Sequence, residues 1–337
     1  LRIAVDAMGG DSGVGTVAAG VARFLRENSE EVGVILVGDE ERIRRELAVH
    51  GDFDPRVEVE HASETIQMEE HGAAASRRKR DSSIARGLQL HKEGKADAFV
   101  SAGNTSAVVA ASLLILGRLP GVRRPAIATF VPNEKDGFVL LDIGATKDCR
   151  PTDLVQFAHM GAVYAEKILG RENPRVGLLN IGEEPTKGND LTREAFPLLE
   201  KSSLNFAGNV EAVGMFRGEV DVAVCDGFVG NVILKFAEGM VAMILGFLKG
   251  EIARHPRAKI GAALLKPTLS HLKDQLSYEQ YGGAPLLGID GVCMISHGRS
   301  SSLAIANAVR TASRFVRYDI SREIGKRTRA YDEVAVD

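Results

Sequence analysis

The chain has 337 residues, 45% hydrophobic and only 5% aromatic, with 36 glycines; this suits one large α/β unit or two smaller domains and argues against a β-sandwich. A formal net charge of -3 excludes a general nucleic-acid binder. Three cysteines, Cys149, Cys225 and Cys293, cannot all pair and lack metal-ligand spacing, so a reducing cytoplasm and no bound metal are expected.

Strand and helix signals alternate from the start, the pattern of a mostly parallel sheet covered by helices. Residues 2–6 read as a strand, with Met8-Gly-Gly-Asp11 as its turn and a helix over 16–27. This immediate strand leaves no room for a signal peptide. A strand at 32–37, a helix at 40–50 and a short strand at 57–60 follow. Residues 77–93 begin with the basic run Arg77-Arg-Lys-Arg80 and become helical.

The strand 96–100 feeds Ser101-Ala-Gly-Asn-Thr105 and a helix over 106–116. Further strands are predicted at 127–131, 137–142, 175–180, 205–208 and 220–225, with helices at 154–169 and 191–201. Residues 220–235 repeat the strand–turn–helix arrangement and place Asp226, Gly227, Gly230 and Asn231 at a strand's end beside a helix N-terminus. Free N–H groups and the positive helix end at two such corners suit an anion such as phosphate.

Residues 247–287 depart from the alternation. Apolar residues at helical spacing (Ile252, Ile260, Leu264, Leu265, Leu269, Leu272, Leu276) are interleaved with His255, Arg257, Lys259, Lys266 and Lys273. This reads as a basic, amphipathic helical hairpin, or as an ordinary core-facing helix pair. The division expected is a core with a cleft at 1–246, the hairpin at 247–287, and a return to the core with a C-terminal helix at 288–337. No apolar run approaches the roughly 20 residues of a membrane span. No GxGxxG, Walker or GxSxG fingerprint occurs, which removes the commonest cofactor readings; no cofactor is expected.

Many short stretches together resemble one family. They include Ala4-Val-Asp-Ala-Met-Gly-Gly-Asp11, Lys79-Arg-Asp-Ser-Ser83, Ser101-Ala-Gly-Asn-Thr105, Leu141-Asp-Ile-Gly-Ala145, Lys187-Gly-Asn189, Cys225-Asp-Gly-Phe-Val-Gly-Asn231 and Ser296-His-Gly298. In order and spacing, from about residue 3 to residue 312, the chain resembles the acyl-carrier-protein:phosphate acyltransferases of bacterial phospholipid synthesis. It departs from that pattern at Ser12-Gly-Val-Gly-Thr16, at Ser106 and at Thr146.

The resemblance implies transfer of a long acyl chain from acyl carrier protein to inorganic phosphate, giving an acyl phosphate for a membrane glycerol-3-phosphate acyltransferase. It implies a three-layer α/β/α fold with a large mixed, mostly parallel sheet, similar to the phosphotransacetylase and isopropylmalate-dehydrogenase group. It also implies a cytoplasmic homodimer whose protruding hairpin serves dimer contacts and peripheral membrane attachment. A short-chain phosphotransacetylase-like enzyme and a non-catalytic membrane scaffold for lipid-synthesis enzymes are the rival readings.

Such chemistry needs an ionised phosphate held beside a thioester carbonyl and donors for the oxyanion that forms. Lys187, Asn189, Asn231 and Asp226 are the catalytic candidates. Ser101, Gly103, Asn104, Thr105, Gly227, Gly230, Asp6, Gly9, Gly10, Asp142 and His297 are the phosphate-binding candidates. For Asn104, Thr105, Asp226 and Asn231 plain helix capping is the alternative role; for Lys187 it is a solvated loop lysine. Arg77, Arg78, Lys79 and Arg80 are the candidates for docking the acidic carrier protein. Cys225, on an apolar strand, reads as an inert buried thiol.

Overall fold

The computed structural model describes residues 1–28, 31–49, 54–269 and 282–334. Among these, eleven strands form one sheet in the order β3-β2-β1-β4-β11-β10-β5-β6-β9-β7-β8. The first group is β1 (Arg2–Asp6), β2 (Gly33–Gly38), β3 (Val57–His61), β4 (Ala98–Ser101) and β11 (Cys293–Ile295), all parallel. The second is β6 (Phe138–Leu141), β7 (Val176–Leu179), β8 (Phe206–Val210) and β9 (Val222–Val224), parallel among themselves. Between them run β5 (Ala126–Val131) and β10 (Ala284–Leu287), paired antiparallel with each other and with β6 and β11. Three antiparallel pairings lie between the groups, so the two groups run in opposite senses.

Successive strand residues point to opposite faces, and both faces are covered. Ile3, Val5, Val139 and Leu141 enter one hydrophobic cluster, while Ala4, Phe138 and Leu140 enter the other. That is why the strands read as continuous apolar runs. Helices α1 (Gly13–Glu27) and α6 (Pro151–Lys167) cover the first face. Almost every residue of α6 is buried, including Gln156 and His159. Helices α4 (Ser83–Lys92) and α5 (Thr105–Ile115) cover the second. A helix at Ser302–Arg317 lies against α1, where a Cβ on Gly20 would come within 2.6 Å of Ile305 Cβ.

The structure differs from the sequence expectation in three places. The basic run 77–80 does not open a helix: it closes α3 (Gly72–Arg78), and α4 begins anew at Ser83. Helix α9 runs unbroken over Gly227–Arg254, through the expected boundary at 247. By length and composition it is apolar enough to cross a membrane, with a mean hydropathy of 1.7 over its most apolar window. The sequence places a helix start within 220–235 and a separate hairpin from 247, and α9 joins the two into one helix. Finally, Leu287, the expected end of the hairpin, closes β10 at the middle of the sheet. A shorter helix, α10 (Pro256–Leu264), follows α9 and packs on it. Leu272, Lys273 and Leu276 lie outside the described residues.

Candidate active site

Pairing register brings the two groups of strand ends to nearly the same level. Val5 pairs with Val100, so Asp6 lies beside Ser101; Ser101 pairs with Ile295, and Ile295 with Ala284. Two residues along, Leu286 pairs with Ile127. Ala128 pairs with Leu141 and Leu141 with Val224, which sets Asp142 beside Ile127 and Cys225. The C-terminal ends of both groups therefore meet near the central antiparallel strands. Between β11 and β6 they are separated by about 14 Å across the sheet and about 7 Å along it, from standard strand spacings. The loops after these ends form two corners, and α9, which starts at the second, brings Lys235 within electrostatic reach of His297 at the first.

At the first corner, buried Asp6 accepts the N–H groups of Met8 at 3.0 Å and Gly9 at 3.1 Å, and the Ser101 hydroxyl at 2.7 Å. Ser101 Oγ in turn accepts the Gly103 N–H at 3.0 Å. Burial pushes the Asp6 pKa up, against the pull of these donors and of the Ser83 hydroxyl. The two loops are pressed together: a Cβ on Gly9 would lie 2.6 Å from Gly103 N. Gly10, at φ +94°, adopts a conformation glycine takes freely, and the Asp11 N–H donates to Gly298 O at 2.7 Å.

Asn104 caps α5, its Oδ1 accepting the Ala107 N–H at 3.1 Å, while its Nδ2 donates to the Met68 and Glu70 carbonyls. Its amide is thus fully engaged in holding the loop. The N–H groups of exposed Thr105 and of Ser106 have no intrahelical acceptor. Helix α1 starts beside this loop with no side-chain cap from Ser12, so an uncapped helix N-terminus adjoins the one that Asn104 caps. His297 is exposed and its Nδ1 accepts the Arg299 N–H at 3.2 Å. The neutral ring therefore carries its proton on Nε2. Burial, then Lys235, push the His297 pKa down.

The second corner is built alike but closed. Asp142, with no exposed surface, accepts N–H groups from Ile127, Gly144 and Ala145 on Oδ1 and from Thr146 on Oδ2, at 2.7 to 3.0 Å. Burial raises its pKa and these donors oppose the rise. Helix α9 is capped by Asp226, whose Oδ1 accepts from Phe228 and Val229. The Gly227 N–H donates to Thr146 O at 2.9 Å and the Gly230 N–H to Asp226 O. The expectation of free N–H groups at this helix start therefore fails for residues 227–230: each of these already has an acceptor, and a carboxylate already sits at the positive helix end.

Gly227 and Gly230 serve close packing here. A Cβ at Gly230 would lie 1.9 Å from Asp142 O, and one at Gly227 2.5 Å from Asp142 Oδ2. Asp142 likewise cannot reach a ligand directly; it orders its own loop. Asn231 is exposed on the first turn of α9, beside Gly144. Burial pushes the Cys225 thiol well up.

Lys187 and Asn189 are exposed in the loop after β7. Asn189 caps helix α7 (Asp190–Glu200) through the Thr192 N–H at 3.0 Å. Gly188 makes the turn at φ +95°. Lys187 makes no ion pair among the described residues. The basic run is half neutralised: Glu70 pairs with both Arg78 and Lys79, and Lys79 Nζ also donates to Thr65 O. Arg77 and Arg80 remain exposed.

Two participants were not singled out in the sequence. Ser83 is buried with its hydroxyl on Asp6; its signal was the Asp-Ser-Ser stretch. Lys235, two turns into α9, belongs by sequence to the second corner yet acts electrostatically on His297 of the first. Among the described residues no group of three or more His, Cys, Asp or Glu side chains is placed to hold a metal ion.

A family model described as "Fatty acid synthesis protein" matches residues 1–323. A curated phosphate acyltransferase of Desulfitobacterium hafniense is 50% identical over 327 residues, 97% of each chain. Among solved structures, a phosphotransacetylase from Streptococcus pyogenes has a TM-score of 0.62 at 18% identity, covering 94% of each chain. The EutD phosphotransacetylase from Staphylococcus aureus has a TM-score of 0.61 at 16% identity, also with 94% of each chain covered. The last two are likenesses of fold.

Proposed function

This chain belongs to the fatty acid synthesis protein family, and from that premise we propose that it transfers a long-chain acyl group from acyl carrier protein to inorganic phosphate. A phosphate oxygen attacks the thioester carbonyl, the C–S bond breaks, and the carrier leaves as a thiolate that takes up a proton; acyl phosphate is the product. Phosphate is largely ionised at neutral pH, so positioning and charge stabilisation carry the catalysis.

One observation supports this reading above the others: two helix N-termini, those of α1 and α5, open uncapped or part-capped onto the first corner, and that is the usual cradle of a phosphate. The Thr105 and Ser106 N–H groups, with the Gly9–Gly10 loop, hold the anion. His297 donates from Nε2 to phosphate or to the leaving sulfur. Asp6, Ser101, Gly103 and Asn104 position the loops. Asn231, Lys187 and Asn189 act from the other side of the cleft on the thioester oxygen and carrier arm. Asp226, Asp142, Gly227 and Gly230 hold that side in place.

The acyl chain lies along α9, where Phe228, Val232, Phe236 and Phe247 are each more than half exposed. Farther along, the same apolar surface with α10 makes homodimer contacts and touches the membrane surface peripherally, handing the product to a glycerol-3-phosphate acyltransferase. The protein works in the cytoplasm. Arg77 and Arg80, with help from Arg78 and Lys79, steer the acidic carrier to the cleft.

The test is release of free carrier thiol from long-chain acyl carrier protein, with and without inorganic phosphate, trapping product with hydroxylamine. Phosphate-dependent release with an acyl hydroxamate is expected. Turnover of short acyl-CoA alone would replace this reading with a phosphotransacetylase-like one, and no turnover of either by folded protein would leave the scaffold reading.

A further inference from the structure

A cavity of about 540 Å³ opens at the N-terminal ends of β4 and β11, behind the first corner, and its size is that of a small-molecule site. Its apolar lining is accessible at Pro120 and Val316, which lie over the buried Leu119, Val292 and Phe315. One wall is the last helix, α12, spanning Ile320–Val334. It presents Arg322, Lys326 and Arg329, spaced four and three residues apart and so on one helix face. Three carboxylates also line it: Asp97, whose Oδ2 already accepts the Arg2 N–H at 2.7 Å, Asp290, and Asp319 beside Arg322. His91 is already engaged on both ring nitrogens, by Ala96 O and the Val292 N–H, so it shapes the wall and contacts no ligand.

Two features keep the space open and charged. Gly325 is buried within α12, where glycine is about 1 kcal/mol worse than alanine. A Cβ there would meet nothing nearer than Leu119 Cδ2 at 3.9 Å, so sterics do not demand the glycine; a side chain would simply enter the cavity. The cations are matched unequally. Arg322 reaches Asp319 only at 3.5 Å, Lys326 pairs with Glu323 in an exposed contact, and Arg329 makes no ion pair among the described residues.

We propose that this cavity binds a nucleoside phosphate. The phosphate sits against the guanidinium groups of Arg322 and Arg329, whose planar forks match its oxygens. The sugar hydroxyls donate to Asp97 Oδ1 and to Asp290, and the base lies against Pro120 and Val316. A fatty acid does not satisfy this arrangement, because both carboxylates would then face methylene groups. The site lies one strand length from the phosphate corner, about 13 Å for the four residues of β4, and it stands independently of the acyl-transfer reading.

Calorimetric titration of the purified full chain with AMP tests it, with adenosine and inorganic phosphate as separate ligands. Saturable binding of one AMP per chain is expected, with adenosine at least about tenfold weaker, the usual weight of a charge-assisted contact to phosphate, and with AMP not displaced by inorganic phosphate, which binds at the first corner. Arg329→Glu should weaken AMP at least about tenfold by the same reasoning. Gly325→Leu should abolish binding while phosphate-dependent thiol release persists. Absence of AMP binding at millimolar concentration overturns the proposal. So does AMP binding that Arg329→Glu leaves unchanged and inorganic phosphate displaces, since that would place it at the first corner. Arg329→Glu decides the matter even if Gly325→Leu fails to fold.

Discussion

The two corners share a design and differ in one atom type. Each has a buried aspartate at a strand end, Asp6 or Asp142, that gathers the N–H groups of its own loop. Each has a glycine pressed against that aspartate, and each starts a helix at a capping residue. In the first corner the cap is the neutral amide Asn104, and in the second it is the carboxylate Asp226. Asn104 satisfies one helix N–H group, that of Ala107, and Asp226 two, those of Phe228 and Val229. Only the carboxylate also cancels the positive end of the helix. The first corner is thus left able to receive an anion, and the second is already occupied by one of its own.

The largest expected effect breaks the second corner. Asp142→Ala removes the acceptor of four N–H groups, those of Ile127 and Thr146 buried and those of Gly144 and Ala145 half-buried, and unsatisfied buried donors cost about 1–3 kcal/mol each, not fully additively. A loss of about 3 kcal/mol or more, read by urea denaturation, is expected; an unchanged midpoint would mean that the loop is not held in this way.

A pH effect of similar size arises away from both corners and must be separated from them. Burial, then Arg327, push the His159 pKa down to about 4, from 6.5. The folded state therefore prefers the neutral ring. Stability is complete above pH 6.5 and falls as pH drops from there towards 4, by on the order of 3 kcal/mol. His159→Leu should flatten Tm against pH in that window, and an unaltered slope would assign it to other groups.

Asn104→Asp makes the first corner resemble the second. It keeps the cap, but it faces a charge towards the Met68 and Glu70 carbonyls and the phosphate. A stability loss of about 2 kcal/mol together with a steep rise in the KM for phosphate is expected. Retained phosphate affinity would contradict the comparison. The reverse exchange, Asp226→Asn, keeps a competent cap; a change within about 0.5 kcal/mol and an unaltered phosphate KM are expected. A strong fall in affinity would return the phosphate to the second corner.

Much of this was legible in the sequence. Strands such as Arg2–Asp6 and Phe138–Leu141 are buried on both faces, so their apolar runs stand out whatever their neighbours. The cap difference was also visible, as Asn104 against Asp226. What was not legible depends on distant pairing. β10 and β11 are runs of four and three residues, too short to separate from helix by periodicity, yet they set the level at which the two corners meet. The engagement of the Gly227 N–H depends on Thr146 O from another strand's loop, which local spacing does not reveal. Nor could the basic run disclose that Glu70 would claim Arg78 and Lys79.

The most direct test of the central claim is the phosphate KM of Thr105→Pro in the thiol-release assay. Proline is well tolerated at the first position of a helix, and Asn104, at φ -56° and ψ 111°, already has the extended backbone that precedes it. The substitution therefore removes the Thr105 N–H and leaves α5 intact. A rise of about tenfold in the phosphate KM, the weight of one charge-assisted hydrogen bond, with unchanged Tm is expected. An unchanged KM in a folded variant would contradict phosphate binding at the start of α5.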